Sequence, residues 1–597
     1  MNGKATALAI SIVGLGCVAS GCSTRTDVSV TGNTRATYSH VWITAQEVWF
    51  NTSTSAGPDD GGWVKFPLST PATVDLVSES GGNLGSLVTG LKLTPASYSQ
   101  VRLIPVDSSA SLTSSASTAG AIYNAEADYV DNGGTTHQLP LELLDPDKGI
   151  GIAGSLDVPV GNIGAALGAV STTGATSTST TTMPGATSGS TSSTSNTTVT
   201  SFAINVDGAR DLTPFTYGGA SSPNAILLSS HASAFDLSKV GGISGQLTLT
   251  NLTGIAGNTG APAIQVSAET LSANDCPGPE CRHVVVTSTP VHADGSFMLY
   301  PLATSSSTPA SYDVVIHGPG IATIIIKNVQ VTLASNSTNS SSSSSSGTTS
   351  SPGSINAVSV GTLIPRAAPS PYTVNIANAT GTALPAGAQV AFYQTLSASE
   401  VPYLIEASPI DPFNQVLAYD QALSTGTIDS GTYNTTGATV NLVSAAPTEG
   451  AGGYRVAASA PGYDDGPLTT TVSAPQSGTT VPPVTVPTLA LAAGTAAGTI
   501  SASVTLATAG KYDHGELLLT HDGTLVATTP LDAALAQGAG GTVTLNGVPS
   551  GTPSALYYAT ARVWRSSNAS QTLQRQSSAT AIDLRSSTSG AVQLTIN

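Results

Sequence analysis

The chain is 597 residues long, and only 9% of its residues are charged, against about 25% in ordinary soluble domains. Long solvated helices need Glu, Lys and Arg, so this composition excludes a mainly helical protein and predicts an all-β fold whose turns use the 62 Gly and 36 Pro. The net charge of −17 excludes a general nucleic-acid binder, because phosphate contacts need clustered basic residues.

The N-terminus has the pattern of an export signal. Lys4 precedes an apolar run at 5–18, which is too short for a membrane span of ~20 residues. Small residues then lead to Cys22, which resembles the bacterial lipoprotein signal, although Ala19 stands where Leu is usual. The resemblance implies acylation of Cys22 and a lipid bilayer as partner, and Ser23 implies sorting to the cell outer membrane. An ordinary secretory signal is the alternative.

Two cysteines, Cys276 and Cys281, remain in the exported part, separated by Pro-Gly-Pro-Glu. An exporting compartment permits a disulfide, and strand patterns flank the pair. We therefore expect a hairpin tip closed by a disulfide. A metal site that adds His283 is the alternative, but the spacing lies at the edge of what zinc sites use.

The first predicted domain covers residues 23–240. Alternating apolar residues predict strands at 41–45, 72–76 and 98–103. The order V-W-I-T-A-Q-E-V, W-V, T-V-D-L and S-Y-S-Q-V-R-L resembles the domain-of-unknown-function family numbered 4382, found in exported bacterial proteins. The resemblance implies no activity. A Ser/Thr-rich tract at 171–200 is predicted to be a flexible loop insertion.

Two stretches of the chain repeat each other. Tyr312 and Tyr454 are each followed, seven residues later, by Pro-Gly. Further on, residues 358–363 match residues 484–489. The distance from the tyrosine to this second match is longer in the first copy, which predicts that a Ser-rich tract at 335–352 is an insertion within that copy.

We place the two copies at 241–365 and 366–490. They resemble carboxypeptidase-regulatory-like repeats, which implies small β-sandwiches of prealbumin-like topology. The last unit, 497–597, has about seven short strand patterns and is predicted to be an immunoglobulin- or fibronectin-like sandwich. Within it, His521-Asp522-Gly523 predicts a hairpin turn. The whole is predicted to be a string of tandem β-sandwich domains.

Catalytic and metal-binding motifs are sparse. The sequence lacks the nucleophile-elbow, zincin and phosphate-loop patterns. The densest polar group is Asp513, His514, Glu516 and His521. Strand alternation separates neighbouring side chains, so we expect a solvated turn here rather than a metal site.

Four acidic turns are candidate calcium sites that lack the spacing of a dedicated loop, so they are predicted to be solvated turns. They are Asp59-Asp60, Asp128 with Asp131, Asp145 with Asp147, and Asp464-Asp465.

Tryptophans raise the question of sugar binding. Trp42, Trp49 and Trp63 are the candidate ligand-facing aromatic residues, and Trp564 is the fourth tryptophan of the chain. Strict alternation places Trp42 and Trp49 on opposite faces of a strand, because they are seven residues apart. Burial in a core is the other interpretation.

From these patterns we expect an exported, lipid-anchored protein with a structural, adhesive or binding role, no cofactor and no catalysis of its own. A surface protein or a glycan is the expected ligand. The first alternative is a carbohydrate-binding accessory protein of a polysaccharide system. The second is a glycan-active enzyme, which requires two carboxylates ~5–10 Å apart in a cleft.

Overall fold

The computed structural model describes residues 24–597 with gaps. Cys22, Cys276, residues 171–198 and the tract 335–352 lie outside the described residues, so the predictions that concern them stay predictions. The gaps are 132–133, 155, 160–198, 218–222, 230–231, 251–262, 273–280, 305–308, 334–356, 369–375, 379–382, 420–422, 424–426, 437–438, 451–452, 469, 473–483, 487, 566–573 and 579.

The N-terminal part of the chain builds a 12-stranded sheet around an apolar core that includes Val28, Phe50 and Ile204. Two strands, β5 and β10, form a separate small sheet. The strands are β1 Thr24–Asn33, β2 Tyr38–Asn51, β3 Val64–Asp75, β4 Gly85–Leu93, β5 Ala96–Tyr98, β6 Gln100–Pro105, β7 Ala125–Val130, β8 Thr136–Leu143, β9 Ile150–Ala153, β10 Leu156–Val158, β11 Val199–Asp207, β12 Leu212–Phe215, β13 Ala225–Leu228 and β14 Ala232–Asp236, with short helices α1 Ser114–Ala119 and α2 Gly208–Asp211.

The next part forms a three-stranded sheet, β18-β15-β21, and a larger sheet that begins β17-β16-β19-β20. Parallel pairing joins β15 to β21, and antiparallel pairing joins β16 to both β17 and β19. The strands are β15 Val240–Leu247, β16 Gln265–Leu271, β17 His283–Pro290, β18 Ser296–Ala303, β19 Ala310–His317, β20 Ile324–Val331 and β21 Ala357–Leu363.

The part after it repeats this pairing with β22-β30 and β24-β23-β28-β29. In addition, β25 pairs in parallel with β20 and extends the preceding sheet to seven strands. The strands are β22 Ile376–Asn378, β23 Gln389–Gln394, β24 Tyr403–Pro409, β25 Ile428–Asn434, β26 Thr439–Val440, β27 Val443–Ala445, β28 Tyr454–Ser459, β29 Thr470–Val472 and β30 Val484–Val486.

The C-terminal part has two sheets, β34-β31-β38 and β33-β32-β35-β36, with β37 beside β35. The predicted hairpin turn is confirmed: Asp522 and Gly523 have φ of 48° and 80°, and His521 pairs with Thr524, as in a type I′ turn. The elements are β31 Ala496–Leu506, β32 His514–His521, β33 Thr524–Pro530, α3 Asp532–Leu535, β34 Gly540–Ser550, β35 Leu556–Trp564, β36 Gln574–Ser577, β37 Ile582–Asp583 and β38 Ser589–Ile596.

The all-β fold class with many separate sheets is confirmed, but the units do not form a simple string. Phe215 and Tyr217 from the first part share an apolar cluster with Leu518 and Trp564 from the last. The last part therefore packs back onto the first. The limits of the predicted domains stay predictions.

Candidate functional sites

A β-bulge in β2 decides where the tryptophans lie. The pairing of β2 with both β3 and β6 shifts register between Ala45 and Glu47. Before the bulge the odd-numbered residues of β2, such as Ile43, face the core. After it the even-numbered residues, such as Val48, face the core. Trp42 and Trp49 consequently lie on the same face of the sheet. The expectation of opposite faces was wrong because the bulge adds one residue.

Both of these tryptophans are buried, at 6% and 7% exposure. Trp42 packs on Ala116 of α1 and stacks on His40 with ring centroids 4.4 Å apart. Trp49 is covered by the ammonium group of Lys65, 3.5 Å from the ring centre. Of the two interpretations of Trp42 and Trp49, burial in a core therefore describes both, and neither presents an exposed ring to a ligand.

Trp63 is half-buried, and its indole nitrogen donates to the carbonyl oxygen of Gly57 at 2.9 Å. A ligand-facing role for Trp63 stays a prediction. Trp564 is 5% exposed and lies in the contact between the first and last parts of the chain.

Glu126 and Asp128 form a carboxyl pair on that face of the sheet. They stand two positions apart on β7, opposite Trp42 and His40 of β2. Burial is the main cause that raises the pKa of Glu126 to about 7, and the neighbouring Asp128 adds to it. The backbone N–H groups of Ile122 and Tyr123 donate to Glu126 at 2.6 and 2.8 Å and oppose this rise.

Burial also raises the pKa of Asp128, against a hydrogen bond from Glu126. Burial therefore favours the neutral form of both carboxyl groups. Nearby, Nδ1 of His40 lies 2.7 Å from Asp75. A glycan hydrolase needs two carboxyl groups ~5–10 Å apart in a cleft, and that alternative stays a prediction.

A buried ion-pair cluster joins the last part of the chain to the first. Arg562 of β35 donates to Glu142 of β8 at 3.2 Å, and both side chains are 1% exposed. Arg575 lies 3.5 Å from the same carboxylate. Burial raises the pKa of Glu516, 3.8 Å from Arg562, to about 7.

Acidic turns of the first part complete this contact. Asp145 accepts a hydrogen bond from the hydroxyl of Thr520, and burial raises its pKa to about 6. Asp59 accepts from Lys148 at 2.8 Å and from the Tyr558 hydroxyl at 2.7 Å. The expectation of a solvated turn was therefore wrong for Asp145, as it was for the buried Asp128.

The turn at the tip of the β32–β33 hairpin also reaches the first part. Asp522 accepts from the guanidinium of Arg102 at 2.6 Å, and the Arg102 side chain is 4% exposed. This pair holds the pKa of the Asp522 carboxyl below its ordinary value, although burial opposes the shift.

A small cavity of about 30 Å³ lies where three parts of the chain meet, and charged side chains line part of it. Arg35 of the first part donates to Glu406 of β24 at 2.6 Å and lies over the Tyr419 ring. His317 faces the same carboxylate at 4.0 Å, and burial lowers its pKa to about 4, so the ring is neutral. The cavity has room for about two water molecules and is far smaller than an organic ligand needs.

The polar group around His514 does not converge. His514 pairs with Asp532 at 3.0 Å, Glu516 faces Arg562, and His521 contacts the carbonyl oxygen of Leu556 at 2.9 Å. Within the described ranges, no group of three or more His, Cys, Asp or Glu side chains is placed to hold a metal ion. The described helices include none that is long and apolar enough to cross a bilayer.

Comparisons with solved structures returned two pilins, a leucine-rich repeat protein and an adhesion-protein repeat at very low similarity. The Streptococcal ancillary pilin is 8% identical with a TM-score of 0.13, covering 60% of this chain and 99% of its own. The major pilin SpaA of Corynebacterium diphtheriae is 12% identical with a TM-score of 0.12, covering 60% and 98%. The tetra-tandem repeat in the extending region of a large adhesion protein is 10% identical with a TM-score of 0.08, covering 96% and 98%. Scores this low carry no functional argument.

The search of curated proteins returned no significant match. A family model does match the N-terminal part of the chain, from residue 23 to residue 213. This match covers the large sheet as far as β12, and it stops short of the predicted limit at 240. Residues 23–213 are therefore a domain of the family described as Domain of unknown function (DUF4382).

Proposed function

We propose that this protein is an exported, lipid-anchored scaffold of β-sandwich units with a structural, adhesive or binding role and no catalysis of its own. The observation that carries the proposal is the buried contact between the first and last parts of the chain. Arg562 and Glu142, like Arg102 and Asp522, are 420 positions apart and yet form direct ion pairs.

In the buried pair Arg562–Glu142, removal of one partner would cost about 3–5 kcal/mol, because the other charge would stay buried without a partner. Arg562 also lies over the rings of Phe215 and Tyr217, at 5.2 and 4.7 Å from their centres. The ionisable groups of this contact thus hold the units together. A rigid body of this kind displays its surface loops to a partner, either a surface protein or a glycan.

The anchor is supported by the leader sequence. An apolar run and small residues precede Cys22, and β1 begins two residues later at Thr24. Several acyl chains anchor a protein stably where a single chain holds weakly. We place the protein at the cell outer membrane, on its periplasmic or its outward face. In that oxidising compartment Cys276 and Cys281 form a disulfide.

The repeated pairing of β15–β21 and of β22–β30 supports a duplicated unit. We propose that the two copies are carboxypeptidase-regulatory-like sandwiches that act as spacers within the scaffold.

The test is the mass of the N-terminal peptide from protein made in its host, combined with protease treatment of intact cells. We expect an acylated Cys22 as the first residue. An unmodified Cys22 with the leader attached would contradict the anchor. Cleavage of the protein in intact cells would place it outward, where adhesion is the expected role, and protection would place it in the periplasm.

A further inference from the structure

Two basic side chains are placed directly opposite each other at the start of β1. The antiparallel register of β1 and β4 pairs Arg25 with Lys92, and both residues are exposed. Like charges in directly opposed positions of a sheet are destabilising. The pair therefore costs stability unless an anion lies between or over the two side chains.

In the described part of the chain, neither side chain has a carboxylate within ion-pair distance, although acids outnumber bases by 35 to 18. The acid that follows on the same face of β1, Asp27, accepts a hydrogen bond from the backbone N–H of Gly90 at 2.7 Å. Other arginines, such as Arg35 and Arg102, are held by carboxylates. Arg25 and Lys92 are thus free to bind an external anion.

The position of the pair in the chain identifies that anion. Thr24 begins β1 two residues after Cys22, and two residues span at most ~7 Å. The hydroxyl of Thr24 donates to the carbonyl oxygen of Pro159, and Arg25 pairs with Val199, so the chain leaves and re-enters the sheet at the same end. The segment between them, residues 160–198, contains no charged residue that would repel an anionic surface.

We infer that this end of the large sheet rests on the bilayer that holds Cys22, with Arg25 and Lys92 bound to the phosphates of anionic lipid headgroups. The inference rests on the proposed anchor, which brings the pair to the membrane. Each basic residue near an anionic surface strengthens binding roughly fivefold. The same surface repels the surplus of negative charge on the rest of the protein. Attraction of the basic pair and repulsion of the remaining chain together orient the protein with this end of the sheet towards the bilayer.

The experiment uses the full mature protein, purified from its host membranes and reconstituted into vesicles of phosphatidylcholine with or without phosphatidylglycerol. Lysines are labelled with a small amine reagent and quantified by peptide mass spectrometry. We expect labelling of Lys92 to slow several-fold on the anionic vesicles and less on the neutral ones. Lys511 of the last part, which is exposed, serves as the control and is expected to label equally in all samples.

A second measurement uses Arg25→Gln with Lys92→Gln, against the matched pair Lys511→Gln with Arg585→Gln. Removal of the like-charge pair relieves a repulsion between exposed side chains, so we expect the first variant to unfold at the same or a slightly higher temperature. We expect the first variant to lose the preference for anionic vesicles and the control variant to keep it.

The outcomes separate the two proposals. An acylated Cys22 with Lys92 labelled as fast on vesicles as in detergent would overturn the membrane contact and leave the anchor. An unmodified Cys22 with Lys92 still protected by anionic vesicles would overturn the anchor and leave the contact. Protection by inorganic phosphate without vesicles would overturn the bilayer as the occupant.

Discussion

The two repeat copies share their strand register residue for residue, although their sequences are only loosely similar. Gln265 of β16 pairs with His317, and Gln389 of β23 pairs with Ser459. Each partner stands five residues after the repeated tyrosine, and in both copies a bulge follows three residues after the glutamine. Short apolar runs and the Pro-Gly turn thus set the same local geometry twice.

The copies differ in what completes their sheets. In the first copy, β18 pairs with β15 of the same copy. In the second, the segment between β24 and β28 instead forms β25, which adds to β20 of the first copy. As a result Val315 and Ile325 of the first copy belong to the apolar core of the second. The repeated sequence therefore fixes the pairing within each copy, of β16 with β19 and of β23 with β28. The neighbouring copy determines where β25 pairs.

The largest expected effect comes from Ile325→Ala. Ile325 is fully buried in the core of the second copy, so truncation should lower the free energy of unfolding by about 2–5 kcal/mol. Hydrogen exchange should show faster exchange in β28, which lies in the second copy. The matched control is Ile326→Ala, since Ile326 faces the core of the first copy.

For Ile326→Ala we expect faster exchange in β16 and β19 and little change in β28. If both variants speeded hydrogen exchange in the same copy, the placement of Ile325 in the core of the second copy would be wrong.

The second prediction uses positions 269 and 393, which are equivalent in register. Glu269 is fully buried in the first copy, where the second copy has Tyr393, and burial raises the pKa of Glu269 well above its ordinary value of 4.5. Because the fold favours the protonated carboxyl group, Glu269 contributes fully to the free energy of unfolding below pH 4.5, its ordinary pKa. This contribution is lost as the pH rises from there towards the raised pKa.

Glu269→Gln stays neutral at every pH. Its amide oxygen can accept from the backbone N–H of Leu404, which now donates to Glu269 at 3.2 Å. We expect the variant to match the wild-type melting temperature at pH 4 and to exceed it at pH 8. A constant difference between the two across that range would contradict the raised pKa.

The third prediction concerns the connection between the copies. Arg366 donates to both carboxylate oxygens of Asp429 on β25, at 2.6 and 3.3 Å. Because the Arg366 side chain is 47% exposed, Arg366→Ala should cost about 1 kcal/mol and speed hydrogen exchange in β25. Arg585→Ala breaks a similar pair with Asp583 in the last part and should leave β25 unchanged. Equal exchange in β25 for the two variants would show that Arg366 does not hold the strand.

Features set by neighbouring residues were predictable from the sequence. The Asp522-Gly523 turn needs two positive φ values, which these residue types tolerate, and the repeated tyrosines occupy β19 and β28, strands with the same pairing. Features set by distant residues were not. The partner of Asp145 is Thr520, 375 positions away, so its turn looked solvated in the sequence.

The candidate sites divide in the same way. The faces of Trp42 and Trp49 were predicted wrongly because no local signal marks the bulge before Glu47. Glu126 and Asp128 stand at alternate positions of an apolar strand, a signal that was available and missed. Their raised pKa values could not be predicted, since burial depends on how the sheet is covered.

The last prediction tests the equivalence of the copies itself. The side-chain amide of Gln265 donates to the carbonyl oxygen of Thr34, and that of Gln389 donates to the carbonyl oxygen of Arg210, both at 3.4 Å. Each is a half-buried contact with the first part of the chain, so Gln265→Ala and Gln389→Ala should each cost about 0.5–1.5 kcal/mol in urea unfolding. Their partners are separate, so the double variant should lose the sum of the two. Gln330→Ala is the control and should cost less than either, because the hydrogen bond that Gln330 donates to Ser311 is exposed to solvent. A loss confined to one of the two glutamines would show that the shared register places equivalent side chains without giving them equivalent roles.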